Sequence, residues 1–198
     1  MAGFDPTHAV RFDLPRGSVT AGANERHVLV PCAALDDLVL IAGPEAAAAV
    51  GRSLGAAIGK RLAARLGGTT GLRGASIDEV VGDMARELAV AGLGATSIER
   101  WGRALVVVID RPAVADLPFL ASIVEGLLEG ASDATVRCTS LGRDGSMARV
   151  LVAGERASAR AREMLEKGAA WGEVLARLQV QGGNSGNSGN SGNKGSDP

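Results

Sequence analysis

Tyrosine is absent from this chain, and aromatic residues amount to only 3% of its 198 positions. Stacking platforms for bases need such side chains, so single-stranded nucleic acid is excluded as a partner. An excess of one charge is lacking too: 21 Lys and Arg stand against 22 Asp and Glu, a net charge of −1. With no long basic run, a phosphate-tracking surface is not expected. No stretch of ~18 uncharged apolar residues occurs, which argues against a membrane span, and no secretory leader is read at the N-terminus. Cysteine and histidine number two each. Cys32 and Cys138 fall on different expected elements, and the reading is a cytoplasmic protein with two reduced, half-buried thiols rather than a disulfide or metal pair.

The usual catalytic signatures are missing as well. There is no Gly-x-Ser-x-Gly, no Walker loop, no Gly-x-Gly-x-x-Gly and no His-Glu-x-x-His. His8 and His27 have no carboxylate at a motif-like spacing, so neither is expected to bind metal or move protons. Asp36 and Asp37 are neighbours that point to different faces of a helix, which describes a solvated edge. Asp110 and Arg111 follow a hydrophobic strand and read as an exposed ion pair. No cofactor and no metal are expected, and the chain does not read as an enzyme.

What is present is apolar and small. Hydrophobic residues make up 46%, mostly Ala, Val and Leu, enough for one domain with a packed core. The abundance of Ala, Arg and Gly suggests a GC-rich bacterial genome. From 182 to 198 the chain is a Gly-Asn-Ser repeat, native or engineered, that can bury nothing and reads as a flexible tether. The expected division is an N-terminal extension over 1–25, one domain over 26–181, and the tail 182–198.

The organising stretch is 44–66, PEAAAAVGRSLGAAIGKRLAARL. In steps of four it separates into a large apolar row (Val50, Leu54, Ile58, Leu62, Leu66) and a small one (Ala47, Gly51, Gly55, Gly59, Ala63). Each helical glycine costs ~1 kcal/mol relative to alanine, so three in register cost ~3 kcal/mol. Close approach of another backbone is the expected compensation, and a second copy of the chain is one candidate for it. The GAAIGK run at 55–60 resembles part of a phosphate loop, but its glycines fall at helical spacing, so packing is favoured.

Along the chain, strands are expected over 8–14 and 26–31. A helix follows over 33–43, ended by Gly43, with Pro44 in the first turn of the next helix. Four glycines mark 67–75 as a loop. Ser76 and Glu79 form a capping box for a third helix, and strands follow at 95–100 and 103–110. Asp116 caps another helix to about 129, then strands at 134–141 and 147–153 flank a Gly-Arg-Asp-Gly turn. Helices over 155–167 and 169–179 close the domain. Trp171 reads as a core anchor. Trp101, at a turn, either caps the core or edges a pocket or interface. The repeated order helix, strand, strand predicts an α+β fold. It comprises a four-stranded antiparallel sheet from two α-β-β units, helices packed on one face, and an N-terminal helical pair.

RHVLVPCAALDDL before GRSLGAAIGKRLAARLG, a Trp-Gly segment before a hydrophobic strand, and Cys-x-x-x-Gly in the last hairpin together give a family resemblance. The run from Arg26 to Val152 resembles a vinyl-reductase-type domain, a small-molecule-binding module whose fold is shared with subunits of vesicle-tethering complexes. The resemblance implies a homodimer through Ala47, Gly51, Gly55, Gly59 and Ala63. It also implies an apolar cavity, with Cys138, Trp101, Leu54 and Ile58 as candidate lining, for a hydrophobic ligand or acyl chain. Cys32 could receive such an acyl group. Cys138 is the one cysteine left in that hairpin, with Met147-Ala148 where a second would be expected, so no zinc site is implied. The function expected is a non-catalytic dimerising scaffold or ligand-sensing module within a larger assembly. The alternatives are an accessory protein or enzyme of pigment or aromatic metabolism, and a purely structural subunit.

Overall fold

The computed structural model describes residues 9–21, 25–102 and 104–182; His8 and the tail 183–198 lie outside the described residues. Strands β1 (Val10–Asp13), β2 (Ser18–Ala21) and β3 (Glu25–His27) form a small antiparallel sheet in that order. β2 falls where a loop was expected; Val19 and Thr20 are adjacent β-branched residues, which suit a strand, and the segment pairs with β1. The lead-in to the first helix, expected as strand to Pro31, is paired only as far as His27.

The long helix α1 (Cys32–Arg65) is two arms joined at Gly43, whose φ of 76° and ψ of 168° break the helical path. A side chain resists that conformation, and Pro44 then opens the second arm with no N–H to lose. The expected helical pair and corner are both present. A short helix, α2 (Gly68–Gly74), occupies the stretch expected as a loop. α3 (Ile77–Val90) starts at the expected capping box. There Glu79 N donates to Ser76 Oγ at 3.2 Å, and Ser76 N donates to Glu79 Oε2 at 2.9 Å.

β4 (Ala95–Trp101) and β5 (Ala104–Asp110) form one hairpin, α4 (Leu117–Ser132) crosses over, and β6 (Arg137–Asp144) and β7 (Met147–Ala153) form the other. Phe119 N donates to the capping carboxylate of Asp116 at 2.6 Å. The strand order is β4-β5-β7-β6, antiparallel throughout, so each α-β-β unit contributes half of the sheet. The fold is the expected α+β with a four-stranded sheet.

Helices cover both faces of that sheet rather than one. Val107, Ile109, Ala148 and Val150 point into a core shared with α1, α3 and α4. Val106, Val108, Leu141 and Leu151 point the other way, against Ala161 and Met164 of α5 (Glu155–Glu166) and Val174 and Leu175 of α6 (Trp171–Gly182). The reason is readable in the central strands: LVVVI and VLV are apolar at successive positions, so each face needs cover.

The second arm of α1 lies on α4, and the glycine row is the contact. A Cβ on Gly55 would sit 2.7 Å from Leu127 N and closer still to the carbonyl oxygen of Ile123. On Gly59 it would lie 2.8 Å from Ala131 N; on Gly51 it would meet Ser122 and the Phe119 carbonyl. In return, Gly126 and Gly130 of α4 receive the backbone at Arg52 and Ala56. Another backbone does rest on the bare strip, and it belongs to the same chain. The row proposed for a dimer interface is therefore already filled from within.

Candidate functional site: a groove beside the edge strand

Because β6 is the edge of the sheet, its outer backbone groups have no neighbouring strand. α4 passes on one side of that edge and α5 on the other, while the second arm of α1 supplies a rim. Between them runs an open groove of about 930 Å³. Ala48, Pro118, Ala121 and Leu165 give it an apolar wall. Charged and hydroxyl side chains complete it, so it is amphipathic rather than the apolar cavity expected.

Its floor is a hydrogen-bonded polar network. The Cys138 N–H, at the open edge, donates to Glu125 Oε2 at 2.9 Å. Glu125 is buried on α4, and Arg137 Nη1 lies 3.5 Å from its other oxygen and 3.5 Å from Glu129 Oε1. The carboxylate thus substitutes for a missing strand, and the guanidinium balances it. The buried hydroxyls of Thr139 and Ser158 share a hydrogen bond of 2.5 Å. Arg52 on α1 and Arg162 on α5 line the same groove, are exposed, and make no ion pair among the described residues.

Cys138 lines this groove, as expected for a ligand site. Burial pushes its thiol well above the ordinary thiol range, and the carboxylates of Glu125 and Glu129 add to the effect. It is held as a neutral thiol, unsuited to attack or to metal ligation at neutral pH. Among the described residues, no group of three or more His, Cys, Asp or Glu is placed to hold a metal ion. Cys32 is exposed at the start of α1.

The other three candidates do not join Cys138. Ile58 is buried in the core and Leu54 is exposed on α1. Trp101 stands edge-on to Trp171 with ring centroids 5.5 Å apart and donates from Nε1 to Glu99 Oε2 at 2.9 Å. Trp171 in turn lies under the Arg149 guanidinium, 4.5 Å from the ring centroid. Trp171 packs against the core on the α6 face, while Trp101 stays 38% exposed and lies outside the groove lining. Glu125, Arg137 and Arg52 were not foreseen. A carboxylate in the apolar run LASIVEGLL was the available signal for the first of them.

No protein-family model and no curated protein matches the chain. Among solved structures, the chain is similar to the phenol-responsive sensory domain of the transcription activator PoxR, solved with phenol. The TM-score is 0.56 at 16% identity, over 87% of this chain and 92% of that one. The likeness is one of fold, to a small-molecule-binding sensory domain, which agrees with the small-molecule-binding module expected from the sequence.

Proposed function

We propose that this chain is a ligand-sensing domain that binds a small amphipathic molecule in the groove beside β6 without transforming it. The observation that carries the reading is the groove itself. Its volume of about 930 Å³ suits a small-molecule site, for which roughly 300–1,000 Å³ is usual. An apolar wall accepts a ring or short chain, and Arg52 and Arg162 suit an acidic head, as guanidinium suits carboxylate. The fold shared with a phenol-responsive domain supports sensing as the use of such a site. A protein partner or further domain that reads the occupancy belongs to this proposal, because sensing without a reader has no output. The non-catalytic part rests on Cys138, the groove's candidate nucleophile, being held neutral.

Native mass spectrometry of freshly purified chain tests for a retained small molecule. Calorimetry with benzoate and phenol as probes tests the groove directly. Wild type is expected to bind benzoate saturably. Ala48→Trp, which fills the apolar wall, should weaken that binding at least ~10-fold, which is ~1.4 kcal/mol. Arg52→Ala with Arg162→Ala should weaken benzoate and leave phenol unchanged. A chain that carries no adduct and gives no saturable heat with either probe overturns the reading.

A further inference from the structure

The charges that line the groove beside β6 balance. Arg52, Arg137 and Arg162 stand against Glu125, Glu129 and Glu166, three of each sign. A cleft lined by one sign draws the opposite charge through its field, and a balanced one offers no such field to a simple anion or a simple cation. Part of this set is satisfied internally. Glu125 and Glu129 share Arg137, at 3.5 Å each, and Glu125 also takes the Cys138 N–H. Arg52, Arg162 and Glu166 are exposed and make no ion pair or hydrogen bond among the described residues. The groove therefore keeps free charges of both signs.

Two of those three, Arg162 and Glu166, stand one turn apart on α5, a spacing that puts Cβ atoms roughly 5–6 Å from each other. Other pairs at this spacing close on themselves. Glu163 and Lys167, one register along the same helix, meet at 2.5 Å, and Glu173 and Arg177 on α6 meet at 2.6 Å. In both the acid precedes the base, the favoured order in a helix. Arg162 and Glu166 run the other way, which weakens their mutual pull. This reversed pair lines the groove, and the two closed pairs do not. Leu165, between them in sequence, joins Ala48, Pro118 and Ala121 in the apolar wall.

We propose that the occupant is an apolar α-amino acid, held by its zwitterionic head. The inference rests on the groove being a ligand site and names the class of ligand. An ammonium and a carboxylate on one carbon present neighbouring charges of opposite sign, and Arg162 with Glu166 presents the complementary two. The carboxylate pairs with Arg162, whose guanidinium offers two parallel N–H donors, and the ammonium pairs with Glu166. Arg52 at the rim adds a second cation, and the side chain lies on the apolar wall. A simple acid bound at Arg162 leaves its own charge beside that of Glu166, and a simple amine bound at Glu166 meets Arg162 in the same way. Such like-charge contacts disfavour both halves taken alone.

Calorimetry with three probes reads the head group: L-phenylalanine, 3-phenylpropanoate, which lacks its amine, and 2-phenylethylamine, which lacks its carboxylate. L-phenylalanine is expected to bind at least ~10-fold tighter than either. Glu166 is exposed and has no partner to lose among the described residues. Glu166→Gln should bring L-phenylalanine to within ~2-fold of 3-phenylpropanoate, whereas Glu163→Gln, outside the groove, should keep the wild-type preference. If 3-phenylpropanoate or benzoate binds and L-phenylalanine has no advantage over 3-phenylpropanoate, the inference is overturned and the ligand-sensing reading stands. A preference that survives Glu166→Gln in full overturns it likewise. No saturable heat from any of these probes, nor from benzoate or phenol, overturns both.

Discussion

Cys138 and Glu125 show how one side chain can be made inert by the needs of another. The edge strand leaves the Cys138 N–H without a neighbouring strand, Glu125 accepts it at 2.9 Å, and burial, with that carboxylate beside it, discourages ionisation of the thiol. The consequence for stability has a definite sign. Unfolded, the thiol loses its proton at roughly pH 8.5; folded, it keeps the proton to higher pH. The stabilisation is complete below that range and is lost as pH rises through and above it. Wild type should therefore lose more unfolding free energy between about pH 7 and about pH 10 than Cys138→Ala does, measured by urea denaturation. Equal losses in the two proteins would show that burial does not hold the proton. Cys32, exposed, should react rapidly with a thiol reagent under the same conditions, and Cys138 only on unfolding. Cys138 was legible as a groove residue by resemblance. Glu125 was not, because its partner lies thirteen residues on, across a turn, and no local spacing encodes that contact.

Two helices stitched by small residues form the central element. Gly55 and Gly59 on α1 meet the α4 backbone at Ile123 to Ala131, Gly51 meets Ser122, and Gly126 and Gly130 on α4 receive Arg52 and Ala56 in return, so the crossing is close along its length. The first row was legible as a surface awaiting a close partner. The second row has the same spacing of four, Ser122-Gly126-Gly130, and that was the signal for an intramolecular partner rather than a second copy. The leucines and valines around it, read as a core face, masked the row. Capping boxes, the hairpin turn and the Gly43-Pro44 corner were legible because each depends on neighbours within four residues. The cover of both sheet faces depends on which distant helices return, and only the unbroken apolar runs of β5 and β7 hinted at it. Gly55→Ala tests the stitching. Alanine gains ~1 kcal/mol of helix propensity, but its Cβ collides with the Ile123 carbonyl and the Leu127 amide, and neither backbone can yield cheaply. A net loss of about 3 kcal/mol is expected from overpacking. Gly74→Ala, where a Cβ meets nothing within 4 Å, should be nearly neutral. Similar denaturation midpoints for the two variants would mean that the helices separate without cost.

At the scale of the whole molecule, the chain divides by how much holds each part in place. β5 and β7 are central and buried on both faces. The β1–β3 sheet is held to the rest chiefly by charge: Arg61 of α1 reaches Glu25 at 3.1 Å and Glu87 of α3 at 3.0 Å, and Arg65 joins Glu87 at 2.5 Å. Glu87 is buried, so this network anchors firmly at α3, but its reach to Glu25 is exposed and worth at most about 1 kcal/mol. In a single chain, the amides of β1–β3 should thus open locally and exchange much faster than those of β5 and β7. Hydrogen exchange read by mass spectrometry should show β1–β3 exchanged at the earliest times while β5 and β7 stay protected. Arg61→Ala, which removes the link to Glu25, should quicken exchange in β1–β3 and leave β5 and β7 unchanged. Equal protection of the two sheets in the wild type would mean that more than an exposed ion pair holds the small sheet in place.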